Sequence, residues 1–394
     1  MIETMRWFGQ RDAVTLADIR QAGCKGVVTA LHQIPVGELW TVKAIKERQN
    51  MVAQQNLSWE VVESLPVHED IKKGLPRRDH WIELYRQSLQ HLAACGIKTV
   101  CYNFMPVLDW SRTDVDYSLP NGVKTLRYDW YDFMIFDLYL LKRPHAEDDY
   151  SPQDYAVAAA RYREMSAGEL KKLQQTVLLG LPGSDEAFDL HTFQRLLDEY
   201  REVDYHALRS HLHYFIQHIG PVAQSCGLNL CIHPDDPPWP LLGLPRVVST
   251  EEDLAGLMGA FPDRCNGITF CTGSLGVRED NHLVRMIQRF ADRIHFVHLR
   301  ATKREDHPRI FYEAEHLSGD VDMYQVVKVL LLEEQRRQRA GLSDAHLPFR
   351  PDHGHQMLDD LSKKTYPGYS AIGRIKGLAE LRGLIRGIAP SLRA

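Results

Sequence analysis

The sequence is poor in several things that would have decided its class at once. Its seven cysteines are scattered, odd in number and never arranged as CxxC, which argues against a disulfide framework or a Cys-rich zinc module and for reduced intracellular thiols. No uncharged apolar run reaches the length of a membrane span. The opening residues MIETMRWFGQRD lack the apolar core of a signal peptide, so the expected location is the cytoplasm and the expected state is soluble. There is no excess of positive charge: 47 basic residues are mixed with 52 acidic ones for a net charge of −5. That argues against nucleic acid as a partner, because nucleic-acid binding needs a basic face. No GxGxxG follows the first apolar segments, so a dinucleotide-binding sheet has no support. What is plentiful is histidine, 19 residues, several beside Asp or Arg.

Along the chain, short apolar runs alternate with helical periodicity. Strands are expected at Thr4–Gly9, Gly26–Leu31, Leu57–Glu63, Ile97–Asn103, Leu228–His233, Gly267–Cys271, Arg293–Leu299 and Leu347–Asp352. Helices are expected at residues 15–23, 42–55, 79–95, 251–260, 282–290, 323–338 and 375–388. Alternation of this kind implies parallel strands with right-handed crossovers, and eight units fit a (β/α)8 TIM barrel over residues 1–394 as a single domain. An open doubly wound sheet is the alternative. The rhythm breaks between 109 and 209, where no strong apolar strand stands out. That stretch reads as a mainly helical insertion after the fourth strand. It has helical patterns at 155–173 and 187–217, a loop at 180–183, and one short hairpin arm at Thr125–Tyr128.

In such a barrel the chemistry sits where strands end at their C-terminal side. The last four strands end in His233, Cys271, His298 and Asp352. Two imidazoles, a thiolate and a carboxylate from adjacent strand ends make a divalent-metal site. Each has a plainer reading: a lone strand Cys is usually a small buried hydrophobe, and His233 can be a loop residue. His298 competes with His295, which alternation puts on the opposite face. Arg300 and Arg350 stand two residues from His298 and Asp352, so both are expected to face the same cavity. There they would pair with a substrate carboxylate or with Asp235 or Asp236. Asp352-His353-Gly354-His355 ends the eighth strand, with Gly354 expected to turn the chain. Pro367-Gly368-Tyr369 carries a phenol nearby. The first half offers Arg6, Trp7, His32, Glu63, His68, Glu69 and Asn103. Such groups suit a hydroxyl-rich ligand, with Trp7 or Trp110 as a wall.

Longer motifs sharpen this. TALHQIP (29–35), VVESLPVHEDIK (61–72), CYNFMPVLDWSRTD (101–114), HPDDPP (233–238), GLPR (243–246), CTGS (271–274), GDVDMY (319–324), RPDHGH (350–355) and PGYSAIGR (367–374) resemble those of the mannonate dehydratase family, and the resemblance runs from Met5 to about Leu384. It implies a TIM-barrel lyase of hexuronate (glucuronate) breakdown that dehydrates D-mannonate to 2-keto-3-deoxy-D-gluconate with Fe²⁺ or Mn²⁺. It also implies His233, Cys271, His298 and Asp352 as the ligands, and a form that carries the longer segment after the fourth strand. By affinity alone such a donor set would favour zinc. In a dehydration of this kind His353 and Tyr369 are expected to move the protons, with their roles interchangeable at this level. Arg300, Arg350, Trp7, His32 and Asn103 are expected to hold the substrate. A metal-dependent sugar isomerase or epimerase on the same barrel is the alternative, separable by a keto-acid assay; a non-catalytic sugar-acid binder is a third class. The expected partner is a small sugar acid, with neither nucleic acid nor membrane, and homo-oligomerisation is left open.

Overall fold

In the computed structural model, residues 1–179 and 189–392 are described. The expected loop at 180–183 and the start of the helix expected from Ala187 lie outside them. Twelve strands occur among the described residues: β1 (Ile2–Arg6), β2 (Gly26–Thr29), β3 (Ser58–Glu63), β4 (Thr99–Tyr102), β5 (Asp114–Ser118), β6 (Lys124–Tyr128), β7 (Asn229–Ile232), β8 (Asn266–Cys271), β9 (Ile294–Leu299), β10 (Thr302–Arg304), β11 (Phe311–Glu313) and β12 (Pro348–Pro351). Eight of them close a barrel in the order β1-β12-β9-β8-β7-β4-β3-β2, and every pairing around it is parallel. These eight are the strands expected from the apolar runs, each with ends shifted by up to three residues.

The runs are continuous rather than alternating because both faces are covered. Val28, Val61, Cys101, Cys231 and Phe296 fill the barrel interior as a small cluster of their own. A much larger core lies outside it. The crossover helices are cut by local signals. Thr15 and Thr250 each form a capping box with the Asp three residues on, which satisfies two free N–H groups at each start. Helix Tyr205–Cys226 starts on Asp204 and stops at Gly227, whose φ is +65°, a conformation cheap only for glycine. Among the described residues no helix is long and apolar enough to cross a membrane, and all seven cysteines are unpaired.

The stretch 109–209 holds more than helices. β5 and β6 form a hairpin there and join β10 and β11 in a four-stranded antiparallel sheet of order β10-β11-β6-β5. The arm expected at Thr125–Tyr128 is β6; its partners were not expected. β10 and β11 have three residues each, too few for a period to show. The helix expected at 155–173 is two, Pro152–Glu164 and Ala167–Val177, because Ser166 and Glu169 make a capping box between them. The helical run Trp130–Leu141 also escaped notice. Trp130, Phe133, Met134, Ile135 and Phe136 are all buried, so it has no polar face to betray a helical period.

Candidate active site

Strand register brings the site together. Cys271 on β8 pairs with His298 on β9, and His298 with Arg350 on β12. His233 follows β7 directly and its N–H donates to Tyr102 O at 2.7 Å; Asp352 follows β12 and donates to Leu299 O at 3.2 Å. Four strand ends therefore reach one level of the mouth. The ring of Phe296, in the interior cluster, meets His298 edge-on at 4.7 Å and forms the floor. His295 points the other way, towards Arg264 O at 2.9 Å and Asp344, as alternation requires.

Hydrogen bonding sets the His233 imidazole. Nδ1 of His233 lies 2.6 Å from the carbonyl of Pro234. A carbonyl only accepts, so Nδ1 carries the proton and Nε2 keeps its lone pair. Nε2 of His298 lies 3.4 Å from Glu63 Oε1. Its Nδ1 faces the His233 Nε2 lone pair at 3.2 Å. Burial lowers the pKa of His233 despite Asp352 and Glu63 nearby, so neutral imidazole is the favoured form. Oδ2 of Asp352 stands 3.7 Å from His298 Nδ1 and 3.9 Å from the Cys271 sulfur. The donor atoms of His233, Cys271 and His298 all lie within 4.8 Å of one another. Around an ion bonded at about 2.0–2.3 Å, tetrahedral edges are about 3.3–3.8 Å, so these residues fit a divalent metal. The sulfur in turn accepts from Ser274 N at 3.4 Å and Ser274 Oγ at 3.2 Å.

Around this set runs a buried lattice of four guanidiniums and four carboxylates. Glu63 takes Arg6 Nη1 at 2.6 Å and a two-point bond from Arg350 at 2.8 and 3.0 Å. Arg350 also grips Oδ1 of Asp352, leaving Oδ2 towards His298 and Cys271. Arg300 spends all three nitrogens inside the lattice, on Glu313, Asp236 and Ser274. Arg112, from the start of the insertion, bridges Asp236 and Glu313. Burial alone would raise each carboxyl. Arg112 and Arg300 outweigh it at Asp236, which is held at about 2. Glu63, Glu313 and Asp352 are likewise held well below the usual carboxylate range, chiefly by Arg350, Arg300 and Arg350 respectively.

A pocket opens over the site, and its walls include Arg6, Glu63, Asn103, Trp110, His233, Arg350, Asp352, His353 and Tyr369. Gly354 N donates to Gly368 O at 2.8 Å, and this bond lays the Tyr369 turn against the end of β12. The Tyr369 ring then stands edge-on to His353 at 5.2 Å. Burial, with Asp352 beside it, pushes the Tyr369 phenol up to about 12. His353 Nδ1 is 3.3 Å from Glu313 Oε1. The sharp turn expected at Gly354 is taken by His353, at φ +40°. Gly354 is needed because a Cβ there would collide with the backbone of Gly373 and Arg374.

Other expected residues fall elsewhere. Trp7 and His32 do not line the pocket. Trp7 packs under the Arg48 guanidinium at 4.9 Å. His32 is half-buried beside Phe8, and desolvation of its ring with Arg6 and Arg48 nearby lowers it to about 3. Arg300 is not on the wall either. Sequence reasoning passed over Arg112 and Glu313 altogether. Only the SRTD of the insertion carried a hint of the first, and the second sits on a three-residue strand with none.

The family model for D-mannonate dehydratase (UxuA) matches residues 1–393. A mannonate dehydratase of Marinomonas sp. (strain MWYL1) is 53% identical over 392 residues, covering 100% of each chain. One of Chromohalobacter salexigens is 53% identical over 384 residues, covering 98% of each. The crystal structure of mannonate dehydratase from Streptococcus suis serotype 2 superposes with a TM-score of 0.77 at 32% identity, over 100% of this chain and 94% of that one. With its eight-stranded barrel and a sequence match over its whole length, this chain belongs to the D-mannonate dehydratase family.

Proposed function

We propose that the chain dehydrates D-mannonate to 2-keto-3-deoxy-D-gluconate, with Mn²⁺ or Fe²⁺ held by His233, Cys271, His298 and Asp352. The observation that carries the metal is the convergence of the His233, Cys271 and His298 donor atoms within 4.8 Å of one another, with Asp352 Oδ2 3.7 Å from His298 Nδ1. When bound there, the ion supplies Lewis acidity towards the substrate carboxylate and the charge that builds as the C2 proton leaves.

Charge supports a monoanionic substrate. Arg6, Arg112, Arg300 and Arg350 balance Glu63, Asp236, Glu313 and Asp352. A divalent cation with one thiolate then adds a single positive charge, which one aldonate carboxylate neutralises. Arg350 lines the pocket and holds Asp352; Arg300 holds Glu313 and Asp236.

The two proton carriers differ in what surrounds them. A phenol held at about 12 keeps its proton at neutral pH, so Tyr369 is the donor to the departing C3 hydroxyl. His353 is the acceptor of the C2 proton. Glu313, 3.3 Å from its Nδ1, is placed to stabilise the imidazolium that results, as a buried carboxylate does behind a histidine base. The enol then tautomerises to the keto acid.

The test is keto-acid formation from D-mannonate by chelator-stripped protein re-supplied with Mn²⁺, Fe²⁺ or Zn²⁺. Activity that returns with Mn²⁺ or Fe²⁺ supports substrate and metal together. No keto acid with any of the three defeats the reading.

A further inference from the structure

In the barrel order, β4 lies diametrically opposite β12. The loop after β4 therefore comes from the side of the mouth facing the one that delivers Asp352 and His353. It carries Asn103, Met105, Asp109 and Trp110 to the pocket wall, and the Trp110 ring ends 6.5 Å from that of His353. The dehydration as derived above uses neither Asp109 nor its surroundings.

Asp109 is braced from behind and open in front. Asn103 stands beside its carboxylate. The ammonium of Lys72 stands 3.9 Å away, itself fixed by Glu69 at 2.6 Å and Met105 O at 2.7 Å. Glu69 in turn accepts from Tyr200 of the insertion and from Val107 N. Yet 32% of the Asp109 side chain remains open. A carboxylate pinned on one side, with acceptor oxygens free towards a pocket, is chemically suited to a pair of hydroxyl donors.

We propose that Asp109, with Asn103, binds the terminal hydroxyls of an acyclic aldonate whose carboxylate end lies at the strand ends of β7, β8, β9 and β12. Asp109 is then the residue that selects a six-carbon chain over a shorter one. The inference rests on the aldonate reading above: with the carboxylate at one side of the mouth, the rest of the chain extends towards the loop after β4. The brace through Lys72, Glu69 and Tyr200 gives the insertion a part in holding that end.

The experiment compares wild type, Asp109→Ala and Asp109→Asn, all metal-loaded, in two measurements. One is kcat/KM on D-mannonate. The other is the inhibition constant of D-erythronate, a four-carbon aldonate that lacks C5 and C6. Loss of hydrogen bonds to a charged group is worth roughly 10- to 100-fold. Asp109→Ala should lower kcat/KM by that factor through KM, and Asp109→Asn by less, since its amide keeps one acceptor. D-Erythronate should bind all three within about twofold. Unchanged kinetics on D-mannonate, or equal weakening of D-erythronate, overturns the inference. Should Asp109→Ala not fold, the same pattern in Asp109→Asn, at wild-type metal content, decides it. A wild type that makes no keto acid from D-mannonate defeats the aldonate reading itself, and that outcome is distinct from active but unaltered variants.

Discussion

Exchanging Glu313 for Gln keeps the shape of the side chain and removes one negative charge from the buried lattice. Glu313 holds Arg300 through two bonds of 2.6 Å and Arg112 through one of 2.9 Å. The three side chains are 3%, 1% and 0% exposed, so water cannot take over. Removing one partner of a buried ion pair costs about 3–5 kcal/mol, because the partner's charge is left uncompensated. At an unfolding entropy of about 2.1 cal/mol/K per residue, a chain of 394 residues loses about 0.8 kcal/mol per degree. The melting temperature should therefore fall by about 4–6 °C, and by the same amount at low and high salt, since buried charges are little screened. Glu252 is the control: it pairs with Arg289 at 2.8 Å on the surface, at 81% and 41% exposure. Such pairs are worth about 0–1 kcal/mol, so Glu252→Gln should move the transition by about 1 °C or less. Calorimetry of metal-saturated protein at neutral pH reads both. If Glu313→Gln melts within a degree of wild type, or Glu252→Gln falls as far, the lattice does not hold the mouth together. Turnover should drop as well in Glu313→Gln, because the carboxylate facing His353 Nδ1 is gone.

Other expectations follow from the same geometry. Tyr369→Phe should lose about 10²- to 10⁴-fold in kcat, the usual worth of a positioned proton donor, at unchanged metal content; full turnover would remove Tyr369 from the chemistry. An ion present at about 100 times its Kd stabilises by about 2.7 kcal/mol, so a chelator should lower the wild-type transition by about 3 °C and leave Cys271→Ser where it was. Aerobic purification should cost activity that Mn²⁺ or Fe²⁺ with reductant restores, since a thiolate and Fe²⁺ both oxidise; stable activity in air with strong chelator would contradict the metal site. With Asp236 held at about 2 and Glu63 and Glu313 held well below the usual range, the unfolded chain binds more protons than the folded one in acid. Their contribution is complete above about pH 4.5 and is lost as pH falls towards 2. Denaturant midpoints that stay level between pH 5 and 3 would rule this out.

The barrel was legible because its strands are buried on both faces. Such strands read as apolar blocks, and the residue type changes abruptly where the block meets the mouth. His233, Cys271, His298 and Asp352 each sit at such a change, so their common level could be argued from the chain alone. The assignment of Arg300 and Arg350 to one cavity used the same two-residue logic, and both do point inward. What separates them is invisible to it: which buried acids each guanidinium is turned onto. Arg300 is turned onto Asp236, Glu313 and Ser274 and stays off the pocket wall. Arg350 keeps a place on the wall. Trp7 and His32 illustrate the opposite limit, since each follows a strand as the rule demands, yet Arg48 and Phe8 cover them.

The layer over the mouth was not legible, and the reason is physical. A period needs several turns of repetition, and β10 and β11 have three residues each. Their stability comes from pairing with a hairpin nearly two hundred residues away; Arg112 and Glu313 are 201 positions apart. An ion pair also carries no local pattern, because either partner alone reads as an ordinary solvated charge. The structure shows why the insertion and the loop after β9 belong together: Thr125 Oγ1 donates to Glu313 O at 2.9 Å, β6 pairs with β11, and Arg112 closes the sheet onto Asp236 beside His233. The carboxylate that backs His353 is thus delivered by the covering sheet and not by a barrel strand. Loosening that sheet should misplace His353 and Tyr369, the proposed proton carriers, while leaving the proposed metal ligands, anchored on β7, β8, β9 and β12, where they are.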